Sequence, residues 1–248
     1  MATHFNGFSQ QGLTFLQQVR QQNDKGWFDE HRQVYDEQLL APFRALVETL
    51  SPTMLPIDDR FETRPAIGKT LSRIHRDTRF SHDKSRYRSQ MWLTFKRTRK
   101  DWTDAPSYFF EIAPDFWRYG LGYYSATRNT MELFRQTLRG NPQRFAEAAG
   151  CLRDTFVLEG ESYKRPLIKN LPDELADWYN RKSFAAICTS QDMEPLFSAD
   201  LAATLARGFT QLEPLYQYLI NIEAMKKAAQ EKDGAGRSAF SVNKWFER

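Results

Sequence analysis

MWLTFKRTRKDWTDAPSYFFEIAPDFWRYGLGYY occupies residues 91–124. Its segments MWLTFKR (91–97), SYFFEIA (107–113) and FWRYGLGYY (116–124) are rich in aromatic and branched side chains, which suit a pleated and half-buried surface. TRKDWTDAP (98–106) and a Pro-Asp pair punctuate them. Three strands in an antiparallel meander are expected.

Helical periodicity takes over on both sides. Upstream, Ser9 is placed to cap a helix whose Gly12, Phe15, Leu16 and Val19 recur at helical spacing, and Asn23 and Asp24 offer a second cap. Trp27, Phe28, His31 and Tyr35 then form one stripe, and Leu39, Phe43, Leu46, Val47 and Leu50 another, with a helix start or kink at Pro42. Residues 51–64, holding Pro52 and Pro56, read as a connection. Downstream, Gly140 closes a helix carrying Met131, Phe134 and Leu138, Asn141 caps the next, and Pro142 takes its first position. TFVLEG (155–160) and FAAIC (184–188) read as late strands around a helix at 172–179. Residues 198–230 read as two helices interrupted at Gly208 and Pro214, with Thr210 and Glu213 at capping-box spacing. The expected fold class is α+β: one domain over 1–230, a mostly antiparallel sheet flanked by N-terminal and C-terminal helices, and a flexible or docked tail over 231–248.

The chain of 248 residues is 41% hydrophobic and 27% charged, which excludes disordered and fibrous classes. Cys151 and Cys188 stand far apart with no metal-ligand spacing around either, and MATHFNGFSQQ lacks a leader pattern, so the expectation is a cytoplasmic protein with reduced thiols and no membrane partner. Gly68, Lys69 and Thr70 echo the end of a phosphate-binding loop, but Thr63 stands where that motif needs glycine. No zinc-ribbon spacing, metalloprotease pair, nucleophile elbow or dinucleotide fingerprint occurs, and no cofactor is implied.

Charge is concentrated just before the first strand, in RIHRDTRFSHDKSRYR (73–88). The chain holds 35 Lys and Arg against 31 Asp and Glu; this stretch holds six of the former and two of the latter, leaving the remainder balanced at 29 of each. In an extended chain Arg73, His75, Asp77 and Arg79 share one face while Ile74 and Phe80 anchor the other. Guanidinium forks that converge in this way suit phosphate or carboxylate. The leading expectation is therefore a polar pocket for a small anionic, phosphate-bearing ligand. Arg73, Arg76, Arg79 and Lys84 would bind the anion, Asp77 and Asp83 would orient the arginines, and Tyr87 and Trp27 would wall the site. Proton transfer, if the protein is an enzyme, falls to Asp83 or His75. A metal held by His75, Asp77, His82 and Asp83 is the weaker reading of the same residues, since a solvated loop histidine explains them more simply. Two alternatives compete: a structural ion-pair network tying helices to sheet in a protein-interaction module, and a basic strip along a nucleic-acid backbone with Trp92, Phe95 and Trp102 for stacking. Interspersed Asp77 and Asp83 argue for weak nucleic-acid binding.

Asn23, Trp27 and Phe28 spell Asn-x-x-x-Trp-Phe. Arg73, Arg76, Asp77, Arg79, Phe80, Ser81, Asp83, Lys84 and Tyr87 spell Arg-x-x-Arg-Asp-x-Arg-Phe-Ser-x-Asp-Lys-x-x-Tyr. Together with Tyr108, Phe110 and Ile112, then Gly120 and Gly122, these elements resemble the family called domain of unknown function 2461, over about Phe5 to about Tyr218. Members often have Pro before the last tyrosine of the long motif and Lys after it; this chain has Arg86 and Arg88, which keep the positive charge. The resemblance implies that these residues form one pattern, and it brings no activity, cofactor or catalytic residue with it.

Overall fold

A computed structural model describes residues 4–77, 79, 83–98, 105–123, 126–168 and 171–242, with side chains as far as 229. The fold is a single α+β domain in which one face of an antiparallel sheet is covered by helices.

The N-terminal helices follow their caps. Ser9 accepts from the Gly12 N–H and opens α1 (Gln10–Gln22), which buries Leu13, Phe15, Leu16 and Val19. Asn23 ends it in the left-handed conformation, at φ 46°, a region asparagine tolerates better than most residues. Asp24 then caps α2 (Lys25–Glu30) by accepting from the Trp27 N–H at 2.8 Å. After α3 (Arg32–Tyr35) a π-helical turn at Asp36–Leu40 leads into α4 (Ala41–Ile57), so Pro42 lies in the first turn of a helix, as read from sequence. The expected connection from Ser51 is instead helical as far as Ile57. Pro52 and Pro56 lie on the solvent side, where water can serve the carbonyls they leave unbonded, while Leu50, Met54 and Ile57 continue the buried stripe. Burying each of those three contributes about 1.5–3 kcal/mol, enough to offset the roughly 3 kcal/mol that an interior proline costs.

The expected meander is present as β1 (Met91–Phe95), β2 (Ser107–Ile112) and β3 (Trp117–Gly122), with Leu93 opposite Phe110 and Phe110 opposite Tyr119. Two helices follow, α5 (Arg128–Gly140) and α6 (Pro142–Ala149), hinged at Asn141, whose side chain accepts from the Arg144 N–H. The late strands are β4 (Val157–Glu159) and β5 (Ala185–Ser190), separated by α7 (Asp173–Tyr179). Strand order is β1-β2-β3-β5-β4, all neighbours antiparallel. The Gly-x-Gly pair lets β3 and β5 approach: a Cβ on Gly120 would stand 2.0 Å from the Ala186 carbonyl oxygen, and one on Gly122 2.4 Å from the Ala185 Cβ.

The covering layer includes α8 (Asp200–Gln211) and α9 (Glu213–Val242). Gly208 does not interrupt α8. It lies inside the helix because the Tyr119 ring packs where a side chain would begin, 2.3 Å from a hypothetical Cβ. Thr210 is likewise helical, so the Thr210–Glu213 capping box does not form; the chain turns at Leu212, and Pro214 enters the first turn of α9, where its missing N–H costs nothing. The α9 backbone continues to Val242, taking in residues read from composition as the start of a tail. Phe209 packs edge-on to Phe95, Tyr108 and Tyr119, and Phe8 and Phe43 reach Phe110 from the N-terminal helices, so one aromatic core joins both ends of the chain. Among the described residues no helix is long and apolar enough to cross a membrane.

Candidate functional site

The charge-rich stretch forms most of a two-stranded ribbon that prolongs the sheet beyond β1. Thr94 and Ser72 donate to the backbone of Thr70 and Trp92, Leu71 pairs with Leu93 and His75 with Tyr87, and the Arg88 and Arg76 N–H groups reach the carbonyls of Ile74 and Arg86 at 2.9 and 2.8 Å. Ile74 and Tyr87 point into the core, and Arg73, His75, Asp77 and Arg79 are exposed, as the alternation predicts. Phe80 and His82 lie outside the described residues.

The two sequence motifs meet across this ribbon. The Asn23 side chain accepts from the Arg86 N–H at 2.6 Å, and Arg20 of α1 donates to the Ser89 hydroxyl at 3.2 Å. Phe28 stacks on Tyr87, with centroids 4.9 Å apart and planes 15° from parallel, and also meets the His75 ring at 5.4 Å. Trp27, expected as a wall, packs against His31 at 4.1 Å and Phe15 at 5.5 Å; Phe28 takes its place at the site.

Each flank of the ribbon carries an open cleft. The larger, about 720 Å³, lies between α2, the start of α3 and the ribbon; Lys25, Asp29 and Arg32 face His75, Arg76, Lys84, Arg86 and Tyr87 across it, with Phe28 in its wall. The smaller, about 470 Å³, is lined by Arg73, His75, Arg76, Asp77, Arg79, Arg88 and Trp92. The arginines expected to converge on one anion are thus divided: Arg73 and Arg79 belong to the smaller cleft, and only His75 and Arg76 border both. Lys25, Asp29 and Arg32 were missed from sequence. Their spacing of four and three residues beside the Asn-x-x-x-Trp-Phe motif was the available signal, since it places them on one helical face.

The carboxylates orient arginines. Arg79 grips Asp77 through Nε at 3.0 Å and Nη2 at 2.8 Å, and these hydrogen bonds hold the Asp77 carboxyl down at about 2. Asp83 accepts from the Ser85 N–H at 2.9 Å and pairs with Arg76 at 3.1 Å; the Ser85 bond is the main cause of its lowered pKa, with the Arg76 charge adding to it. Asp83 thus serves as a partner of Arg76 and lines neither cleft. Burial, reinforced by the Asp29 charge, pushes the Tyr87 hydroxyl up, so Tyr87 borders the larger cleft as a neutral phenol. Arg76 Nε and Arg88 Nε are buried and have no hydrogen-bond partner among the described residues.

Two of the three stacking candidates of the nucleic-acid reading fall within the described residues. Phe95 is 0% exposed in the core, one face of Trp92 is covered by the Arg88 guanidinium at 4.8 Å, and Trp102 lies outside the described residues. No group of three or more potential metal ligands occurs among the described residues.

Fold and site define an α+β protein with two cationic clefts built around the pairing of the helix and ribbon motifs. A family model described as "Conserved hypothetical protein (DUF2461)" matches residues 11–218, and the chain belongs to that family. No curated protein matches it.

Proposed function

We propose that the larger cleft binds a small anionic ligand bearing a phosphate group. The observation that carries this reading is the arrangement, among the described residues, of five cationic side chains, Lys25, Arg32, Arg76, Lys84 and Arg86, around a cleft with one carboxylate, Asp29, beside a neutral Tyr87 hydroxyl. Such a concave concentration of one sign attracts and orients anions, and arginine forks match phosphate oxygens. The Lys25–Asp29 pair satisfies the one acidic group, leaving the cleft's net charge positive. Should the site also perform a reaction, His75 is the residue for proton transfer, because it borders both clefts while Asp83 lines neither.

A thermal-shift titration with inorganic phosphate and a panel of phosphorylated metabolites tests the reading. Free ligand at one hundred times its dissociation constant stabilises by about 2.7 kcal/mol. Arg86→Gln with Arg32→Gln, both at exposed positions, should abolish the shift while leaving the unliganded midpoint in place. Flat melting curves across the panel, or shifts indifferent to that double substitution, would sink it.

A further inference from the structure

The smaller cleft has no part in the reading above, yet it shares a wall with the larger one. Its distinguishing property is spare donor capacity. The two oxygens of Asp77, its only acidic residue among those described, are both engaged by Arg79. Arg73 is exposed and, among the described residues, makes no hydrogen bond or ion pair. Arg88 has its guanidinium plane fixed over Trp92, and its Nε is buried with no partner. Arg76, on the shared wall, spends Nη2 on Asp83 and has its own Nε unpartnered. The donors that an acceptor-rich group lying in the cleft would meet are the exposed Arg73 guanidinium and the terminal nitrogens of Arg88. Both clefts thus favour the same chemistry, and what separates them is the edge formed by His75 and Arg76.

We infer that the two clefts are halves of one site for a ligand with two separated anionic groups, a bisphosphorylated small molecule whose body crosses the His75–Arg76 edge. This rests on the phosphate-binding reading of the larger cleft and narrows it. One phosphate takes the larger cleft, the second meets Arg73 and Arg88, and Arg76 lies between them. Joining two anions in one molecule makes the second contact intramolecular, so the gain over a single phosphate is large when the spacing fits and absent when it does not.

Calorimetric titration of the full chain with inorganic phosphate, pyrophosphate, tripolyphosphate and fructose bisphosphate tests this. At least one two-anion probe should bind about tenfold or more tighter than phosphate. In Arg73→Gln/Arg88→Gln the probes should converge on the phosphate value, with the unfolding midpoint checked first. Arg73→Gln alone, at an exposed position that cannot disturb folding through Trp92, should remove part of the gain. If phosphate binds and every two-anion probe stays within about threefold of it, or if the gain survives both substitutions, the two-cleft site is wrong and the larger cleft stands alone. If phosphate itself does not bind, the underlying reading fails first.

Discussion

Two parts of this molecule place arginine against aspartate at nearly the same distance, and they differ in everything else. On the ribbon, Arg79 and Asp77 meet at 2.8 Å with side chains 76% and 53% exposed. Beneath the sheet, Arg97 and Asp58 meet at 2.6 Å with side chains 13% and 3% exposed. Asp58 follows the last turn of α4, Arg97 follows β1, and the Tyr216 hydroxyl donates to the same carboxylate from α9. That second group ties helices to sheet in the way the structural alternative asked of the ribbon. Charge density along the chain selects the first pair, whereas burial decides which pair the fold depends on.

The largest effect should come from breaking the buried pair. Asp58→Ala removes the buried carboxylate that pairs with Arg97 and accepts from Tyr216, and a one-sided break of a buried ion pair costs roughly 3–5 kcal/mol. Urea denaturation measures it; a loss no greater than that of Asp77→Ala would erase the contrast between the regions.

Alkaline pH sharpens the same contrast. Burial, followed by the hydrogen bond to Asp58, pushes the Tyr216 hydroxyl well above its ordinary value, and burial also raises Tyr35 and Tyr218 to about 12. Because these folded-state values exceed the unfolded value near 10, their stabilisation is complete below pH 10 and is lost as pH climbs from there. Each tyrosine removes up to about 1.4 kcal/mol per pH unit. Melting midpoints should therefore fall steadily above pH 10, and Tyr216→Phe should soften the decline.

A smaller effect is expected at the ribbon's aromatic anchor. Phe28→Leu keeps most of the apolar volume but loses the stack on Tyr87, so a cost near 1 kcal/mol is expected, together with weakened phosphate binding. Unchanged binding would show that the larger cleft does not need this wall.

Asp77→Asn is expected to leave the unfolding midpoint unchanged, since its partner is exposed and two residues away. Smallest of all is the response to nucleic acid. Six basic residues acting on a backbone would give a log–log salt slope of about −4 to −5, and the interspersed carboxylates and covered Trp92 predict weak binding without that dependence. Tight binding with such a slope, lost in Arg76→Gln/Arg79→Gln, would reverse the order of the readings.

Local chemistry was legible from the chain alone. The caps at Ser9, Asp24 and Asn141, the meander of β1 to β3 and the alternation that buries Ile74 and exposes Arg73 and His75 each depend on neighbours a few residues away. The family motifs were equally readable as patterns, and the charge count found the ribbon. Tertiary structure decided the rest, because the energies involved belong to partners far apart in the chain. Only packing of the α4 stripe carries that helix past Pro52 and Pro56, and only the Tyr119 ring explains a glycine inside α8. The order that seats β5 between β3 and β4 requires the close approach at Gly120 and Gly122. Asp58 gives no sign in sequence that it will meet Arg97 and Tyr216, 39 and 158 residues away. The arginines that one face of an extended strand seemed to unite were separated for the same reason: α2 and α3 close over one flank of the ribbon, so Arg76 borders a cleft that Arg73 and Arg79 do not reach.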